Sequence, residues 1–332
     1  MINRVEKDII TSWKGTVNQP LISICCITYN HEAYIKEALN GFLMQETNFP
    51  FEVLINDDFS KDNTTDIIKE YVKKYPNILK AIYQTENQYS QGVKINPTFN
   101  YPRVQGKYIA ICEGDDYWID KNKLQKQVDF LEEHHNYGLC YTKAKVYIQE
   151  KKKYAKRCFG FEIPLRGLLF NNSIPTLTVI CRKDLVLRYL DEVQEYSQTW
   201  KMGDYPMWIW FNLNSKIYFL KETTAVYRLS GDSMSQRNNG KKRLLFLENS
   251  FDIANFFAKK TLGGSDYQEF LIVKYLGLYN ESIKENTTHY KDYLIKLNNI
   301  KHKGWKIKIY LFFLEVLGLR KLLTLAFKFR NY

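Results

Sequence analysis

Four short apolar runs, each closed by polar residues, do most to limit what this chain can become. They are "LISICCI" (21–27), "FEVLIND" (51–57), "ILKAIYQ" (78–84) and "GKYIAIC" (106–112). Runs of this length, rich in β-branched residues, read as strands buried on both faces. Between the first two, Ile35, Ala38, Leu39, Phe42 and Leu43 keep helical spacing over about 31–45, with Asn30 as a good N-cap. A second helix is predicted over 63–74. The stretch 86–102 reads as loop with some helix, interrupted by Pro97. Strand and helix thus alternate through the first 112 residues. This predicts an α/β fold: a mostly parallel, Rossmann-like sheet with helices on both faces and right-handed crossovers. Such sheets bind ligands outside the carboxyl ends of their strands.

Three of those carboxyl ends carry polar clusters: Thr28-Tyr29-Asn30, Asn56-Asp57-Asp58 and Glu113-Gly114-Asp115-Asp116. Their convergence on one edge is the strongest physical signal in the chain. Three acids within four positions repel one another. A hard divalent cation would relieve that repulsion, since Mg²⁺ is commonly held by one or two carboxylates with phosphates and waters. The competing reading is a helix start, where Asp is favoured as a cap and by the dipole. Asp57 or Asp58 could accept from a nucleobase or a ribose hydroxyl, or could simply close an Asx-turn. No GxGxxG and no GxxxxGK[ST] occurs, which argues against a nicotinamide enzyme and a P-loop NTPase.

Further along, "KNKLQKQVDFLEEHH" reads as an amphipathic helix, 138–148 as a strand, 173–182 as strand-like and 216–229 as one or two strands. Asp204, set among Trp200, Tyr205, Met207 and Trp208, suits a general base facing a hydroxyl; it equally suits the N-cap of the helix that starts there. From about 240 the pattern is helical. Gly263-Gly264 ends one helix, and Ser265 to Gln268 resembles a capping box for the next. The histidines do not cluster at ligand spacing, so no zinc site is read. The six cysteines form no CxxC pair and read as small buried hydrophobes of a reducing compartment.

Four segments in order resemble the family-2 glycosyltransferases of the GT-A fold, of the bacterial cell-surface polysaccharide type. They are "SICCITYNHEAYIKEAL", "FEVLINDDFSKDNT", "ENQYSQGVKINPTFNYPRVQGKYIAICEGDD" and "GDYPMWIW…AVYRLSGDSMS". The resemblance divides the chain into a leader (1–19), a catalytic domain (20–235) and a C-terminal helical extension (236–332). It implies an inverting transfer from a nucleotide-diphosphate sugar, a UDP-sugar, to a hydroxyl of a glycan or lipid-linked acceptor. By position, Thr28, Tyr29, Asn30, Asp57, Asp58, Gly92, Lys94, Asp115 and Arg228 would line the nucleotide-sugar site. Asp115, Asp116 and Glu113 would hold Mg²⁺ or Mn²⁺. Asp204 would be the base, and Trp200 and Trp208 would flank the acceptor. The chain departs from the family's pattern at Glu113, where Asp is commoner, at Ser230, where many relatives have His, and before Asp204, where an acidic pair is frequent.

Charge bears on partners. The net charge is +12, and residues 301–332 hold eight Lys/Arg against the single acid Glu315. Arg320, Lys321, Thr324 and Lys328 share one helical face opposite Leu319, Leu322, Leu323 and Ala326. This tail reads either as an interfacial helix on an anionic membrane or as a helix packed on the catalytic domain. Basic residues tied to an apolar face argue against a nucleic-acid role. With no apolar run of the ~18 residues a span needs and no secretory signal at the N-terminus, the expected location is cytoplasmic, peripheral on the inner face of the plasma membrane if the tail binds lipid. By the family resemblance alone, polysaccharide or lipopolysaccharide synthesis would fit. A non-catalytic binder of nucleotide sugars or polyanions on the same fold is the alternative.

Overall fold

The computed structural model describes residues 4–230, 240–285 and 287–301. The chain forms two compact units. The first comprises 1–162, 173–198 and 210–230; the second comprises 163–172, 199–209 and 231–332.

The first unit holds one nine-stranded sheet. Its strands are β1 (Ile22–Thr28), β2 (Phe51–Asp57), β3 (Leu79–Tyr83), β4 (Tyr108–Ile111), β5 (Tyr117–Trp118), β6 (Tyr137–Ile148), β7 (Lys153–Tyr154), β8 (Ile180–Arg182) and β9 (Lys216–Leu229). The order is β3-β2-β1-β4-β8-β6-β9-β5, with β7 beside β6. The first four strands are parallel, as their helical crossovers require. The rest is mixed: β6 and β9 run parallel, whereas β8 is antiparallel to both β4 and β6. β9 is one strand of 14 residues, with register shifts against β6.

Helices α2 (Ile35–Leu43), α3 (Thr64–Lys74) and α4 (Lys123–Glu133) bury their apolar faces. Ile35, Leu39, Phe42, Ile68, Leu124 and Val128 join alternate residues of β1, β2 and β4 in the core. The first residues are more than a leader. Helix α1 (Glu6–Ile10) buries Ile9 in this core, and Trp13 meets Phe51 edge-to-face at 5.2 Å. Pro97 opens a π-helical turn, Asn96–Asn100, instead of interrupting a helix. Five cysteines are buried and Cys158 is exposed.

The second unit contains α5 (Leu165–Phe170), the start of α7 (Tyr205–Asn214), and α8 (Gly240–Thr261), α9 (Gly264–Lys284) and α10 (Tyr290–Asn298); α6 (Lys183–Val193) belongs to the first. Phe270 sits between Phe170 and Phe251, at ring distances of 5.6 and 6.1 Å. The buried Lys274 Nζ donates to Phe170 O (3.0 Å), and burial lowers its pKa to about 8. The expected capping box before α9 does not form. Gly263 is the N-cap and makes no side-chain cap bond. No described helix is long and apolar enough to cross a membrane. Residues 302–332, on which the expected tail helix falls, lie outside the described residues, as does the segment 231–239 that follows Ser230.

Candidate functional site

Strand register puts three polar ends side by side. Thr28 is the cross-strand partner of Asp57. The β1–β4 ladder continues past its last strand pair: Cys112 N–H donates to Cys25 O (3.2 Å) and Gly114 N–H to Ile27 O (2.9 Å). Because β1 lies between β2 and β4, Asp57, Thr28 and the acidic turn occupy one sheet edge.

The β2 acids hold loops in place. Asp57 Oδ1 accepts from Ser60 N (3.2 Å) and Ser60 Oγ (2.5 Å), and its Oδ2 accepts from Thr65 Oγ1. Asp58 accepts Gln88 N–H on Oδ1 (2.8 Å) and Tyr89 N–H on Oδ2 (3.1 Å), so it fixes the loop that contains Gly92. Both aspartates are buried. Asn30 is not the N-cap of α2; that position is Tyr34. Asn30 adopts φ 53°, and its Oδ1 accepts Lys61 N–H (2.8 Å) while its own N–H donates to Ser60 Oγ (2.9 Å). It therefore ties the β1–α2 loop to the β2–α3 loop, a tertiary link that overrides local capping. Tyr29 beside it is exposed.

The acidic turn is not a helix start. It leads into β5, whose Tyr117 and Trp118 pair with Val226 and Ala225, and α4 begins only at Lys123. Arg228, at the end of β9, clamps the turn. Its backbone N–H donates to Asp116 Oδ1 (2.7 Å) and its Nε–H to Asp115 O (2.8 Å). Its Nη1 donates to Gln149 Oε1 (2.9 Å), and Nη2 donates to Glu37 Oε2. The guanidinium also lies over Tyr34, at 4.6 Å from the ring centre. All three guanidinium nitrogens are thus engaged within the chain, and Arg228 is buried. Desolvation, reinforced by Asp115, pushes the buried Asp116 carboxyl well above the usual carboxylate range. Glu113 is exposed.

Gly114 makes the close packing here possible. A Cβ at this position would lie 2.7 Å from Thr28 Oγ1 and 3.0 Å from His31 Nδ1. Those two atoms, and Asp115 Oδ1 on the next residue, are buried without a hydrogen-bond partner. His31 is a residue the sequence reading passed over, because a lone histidine after a strand carries no ligand spacing. Desolvation pulls its imidazole below the usual range, against the opposing pull of Asp115, Asp62 and Asp57. Among the described residues, no three His, Cys, Asp or Glu side chains gather as a metal cage. A divalent cation that keeps most of its waters needs only one or two protein ligands, and Asp115 Oδ1, buried without a hydrogen-bond partner next to Gly114, is a carboxylate oxygen that could serve as one.

The remaining expected site residues lie on other segments. Gly92 has φ 84° in the loop held by Asp58. Lys94 Nζ donates to Ser197 O (2.6 Å), and burial pulls the Lys94 pKa down. Asp204, Trp200 and Trp208 belong to the second unit. Asp204 stands at the start of α7: its carbonyl accepts Trp208 N–H (3.0 Å) and its Oδ1 accepts Tyr205 N–H (2.7 Å). Trp208 is fully buried, and Trp200 packs on Phe256 and Phe257 at 5.4 and 5.9 Å.

Known proteins resemble this chain in sequence and in fold. A family model described as glycosyl transferase family 2 matches residues 23–192. An uncharacterized protein of Mycobacterium tuberculosis (strain ATCC 25618 / H37Rv), Rv1520, is 35% identical over 210 residues, 62% of this chain and 58% of its own length. This chain therefore spans less than two thirds of that relative. The structure of S. aureus TarS 1-349 in complex with UDP-GlcNAc is similar with a TM-score of 0.56 at 21% identity, covering 83% of this chain and 76% of that one. The mannosyltransferase PcManGT from Pyrobaculum calidifontis, in complex with GDP-Man and Mn2+, is similar with a TM-score of 0.54 at 14% identity, covering 93% and 83%. At these identities the two structures show a shared fold.

Proposed function

Because the chain belongs to glycosyl transferase family 2, we propose that it moves a sugar with inversion from a UDP-sugar to a hydroxyl of a glycan or lipid-linked acceptor. The observation that carries this reading is the adjacency of Asp57, Thr28 and the acidic turn at one sheet edge. That edge is where an open α/β sheet takes its ligand. The relative solved with UDP-GlcNAc supports the choice of donor.

In this reading the exposed Tyr29 and the loop fixed by Asp58 border the nucleotide. Asp57 and Asn30 hold the two loops that frame it. Asp115 is the contact to a divalent cation, with Asp116 anchored on Arg228 N–H and Glu113 at the rim. When bound, Mg²⁺ or Mn²⁺ neutralises charge on the departing diphosphate. Asp204, its carboxylate fixed at the start of α7, takes the proton of the acceptor hydroxyl. Fixing both partners removes much of the orientational cost of the reaction. Arg228 and Lys94 shape the site through the chain's own carbonyls and carboxylates. The basic run 301–332 suits an anionic membrane that presents a lipid-linked acceptor.

The test is turnover of UDP-sugars by the purified chain with Mn²⁺, beside Asp204→Asn. Loss of turnover with UDP affinity kept within about threefold supports the base assignment. Equal turnover by the variant overturns it. UDP binding with no turnover of any donor, in any acceptor extract, would favour a non-catalytic binder instead.

A further inference from the structure

We propose that His31 Nδ1 and Asp115 Oδ1 together ligate the divalent cation of the donor site. This rests on the glycosyl-transfer reading above. Both atoms are buried and lack a hydrogen-bond partner, as does Thr28 Oγ1. Buried polar atoms without partners are rare in folded chains, and each needs a ligand, an ion or a water to account for it. Two of them, Thr28 Oγ1 and His31 Nδ1, lie against Gly114, and the third belongs to the next residue, Asp115. Thr28 is 1% exposed, so its hydroxyl is sheltered from bulk water. The Gly114 turn leaves no room for a side chain between the Thr28 hydroxyl and the His31 ring.

The two proposed ligands reach this point from different elements, and each backbone is held. His31 N–H donates to Thr64 Oγ1 (2.7 Å), and its carbonyl accepts Tyr34 N–H (2.9 Å) and Ile35 N–H (2.8 Å). The Asp115 carbonyl accepts Arg228 Nε–H (2.8 Å). Neither set of bonds uses the side-chain atoms in question, so the ligands are presented without being consumed. The imidazole also sits in the field of Asp115, Asp62 and Asp57, with Asp115 acting on it most strongly. A concentration of carboxylates around an imidazole favours a cation between them.

One imidazole nitrogen and one carboxylate leave most of a six-coordinate shell to diphosphate oxygens and water, as expected for a cation that binds with its substrate. The nitrogen ligand also gives a direction of preference. Mg²⁺ favours an all-oxygen shell, whereas affinity for nitrogen rises from Mn²⁺ to Co²⁺. The chain should therefore bind Mn²⁺ more tightly than Mg²⁺, and Co²⁺ more tightly than Mn²⁺.

The experiment uses the full chain with Mn²⁺ and UDP, read by pulsed electron paramagnetic resonance and by Mn²⁺ titration. The expected spectrum shows a nitrogen bound directly to Mn²⁺. In His31→Gln, and in His31→Asn as a second variant, that coupling should vanish. Mn²⁺ affinity should fall at least tenfold, with metal-free UDP affinity within about threefold. Mn²⁺ bound to the wild type without nitrogen coupling overturns the His31 assignment and leaves glycosyl transfer standing. Coupling that persists in the variants overturns it too. Unchanged Mn²⁺ affinity in both variants would mean that water alone fills the space, which also overturns it. No Mn²⁺ binding at all overturns the cation site together with His31, while release of UDP from a UDP-sugar still judges the transfer reaction separately.

Discussion

Replacing Arg228 by methionine would take the clamp off the acidic turn while keeping an unbranched apolar stem. The side chain's losses can be counted from the structure. Two bonds are to neutral acceptors, Asp115 O and Gln149 Oε1, and one is an ion pair to Glu37. Hydrogen bonds that involve a charged group contribute about 1.5–3 kcal/mol each, net of the bonds to water they replace. The Glu37 side chain is 53% exposed, so solvent takes over its part and that pair counts for little. The ring face of Tyr34 adds about 0.5–1 kcal/mol. The low end of these terms sums to a loss of about 3.5 kcal/mol, or roughly 7–14 °C in Tm for a unit of this size. The assay is thermal unfolding with and without UDP, combined with donor KM and kcat. Since the guanidinium holds Asp115 through its carbonyl, kcat should fall about 10–100-fold through misplacement of the turn, with UDP affinity nearly unchanged. Arg228→Lys discriminates further. A point charge could still reach a diphosphate but cannot reproduce the fork, so it should rescue neither Tm nor kcat. An unaltered Tm, a large loss of UDP affinity in Arg228→Met and its recovery in Arg228→Lys would refute the clamp and restore the direct contact that the sequence suggested.

Other expectations follow from the same contacts. Gly114→Ala drives a methyl against Thr28 Oγ1 and His31 Nδ1; it should cost about 1–3 kcal/mol and most donor turnover, checked by denaturant unfolding and UDP release. Asp58→Ala removes the acceptor of two loop amides, so the amides of Gln88 and Tyr89 should exchange faster and UDP should bind about tenfold more weakly. Lys123 Nζ is buried without a partner, 4.2 Å from the Trp118 ring centre, and burial lowers its pKa to about 7. The unfolded chain then binds the proton that the folded chain releases between about pH 7 and the ordinary lysine pKa, so the Lys123 contribution makes stability rise with pH across that window. Lys123→Met should remove this slope and be the more stable protein at pH 7, measured as the difference between the two unfolding curves at each pH.

The parallel half of the sheet was legible because buried strands declare themselves by composition. "FEVLIND" is β2 without adjustment, and "LISICCI" misses β1 by one residue. The convergence of strand ends follows from that alternation alone. Side-chain partnerships were not legible. Arg228 occupies a motif position, but nothing in the motif says that Glu37, 191 residues away, and Gln149 share its guanidinium. Asn30 scores as a cap locally, yet Lys61 and Ser60 compete for its polar groups and win. β5 is too short to leave a periodic signal, and its absence from the reading made the acidic turn look like a helix start. The buried Ile9 and Trp13 show that a polar-looking segment can still place two side chains in a core.

Release of UDP from a UDP-sugar by the wild-type chain and by Asp115→Asn, each with Mn²⁺, tests the donor site most directly. The wild type should release UDP steadily, and the variant should be slower by at least 100-fold while still folding with a similar Tm. Equal rates in the two proteins, or a wild type that binds no nucleotide at all, would contradict the placement of a nucleotide-sugar at this sheet edge.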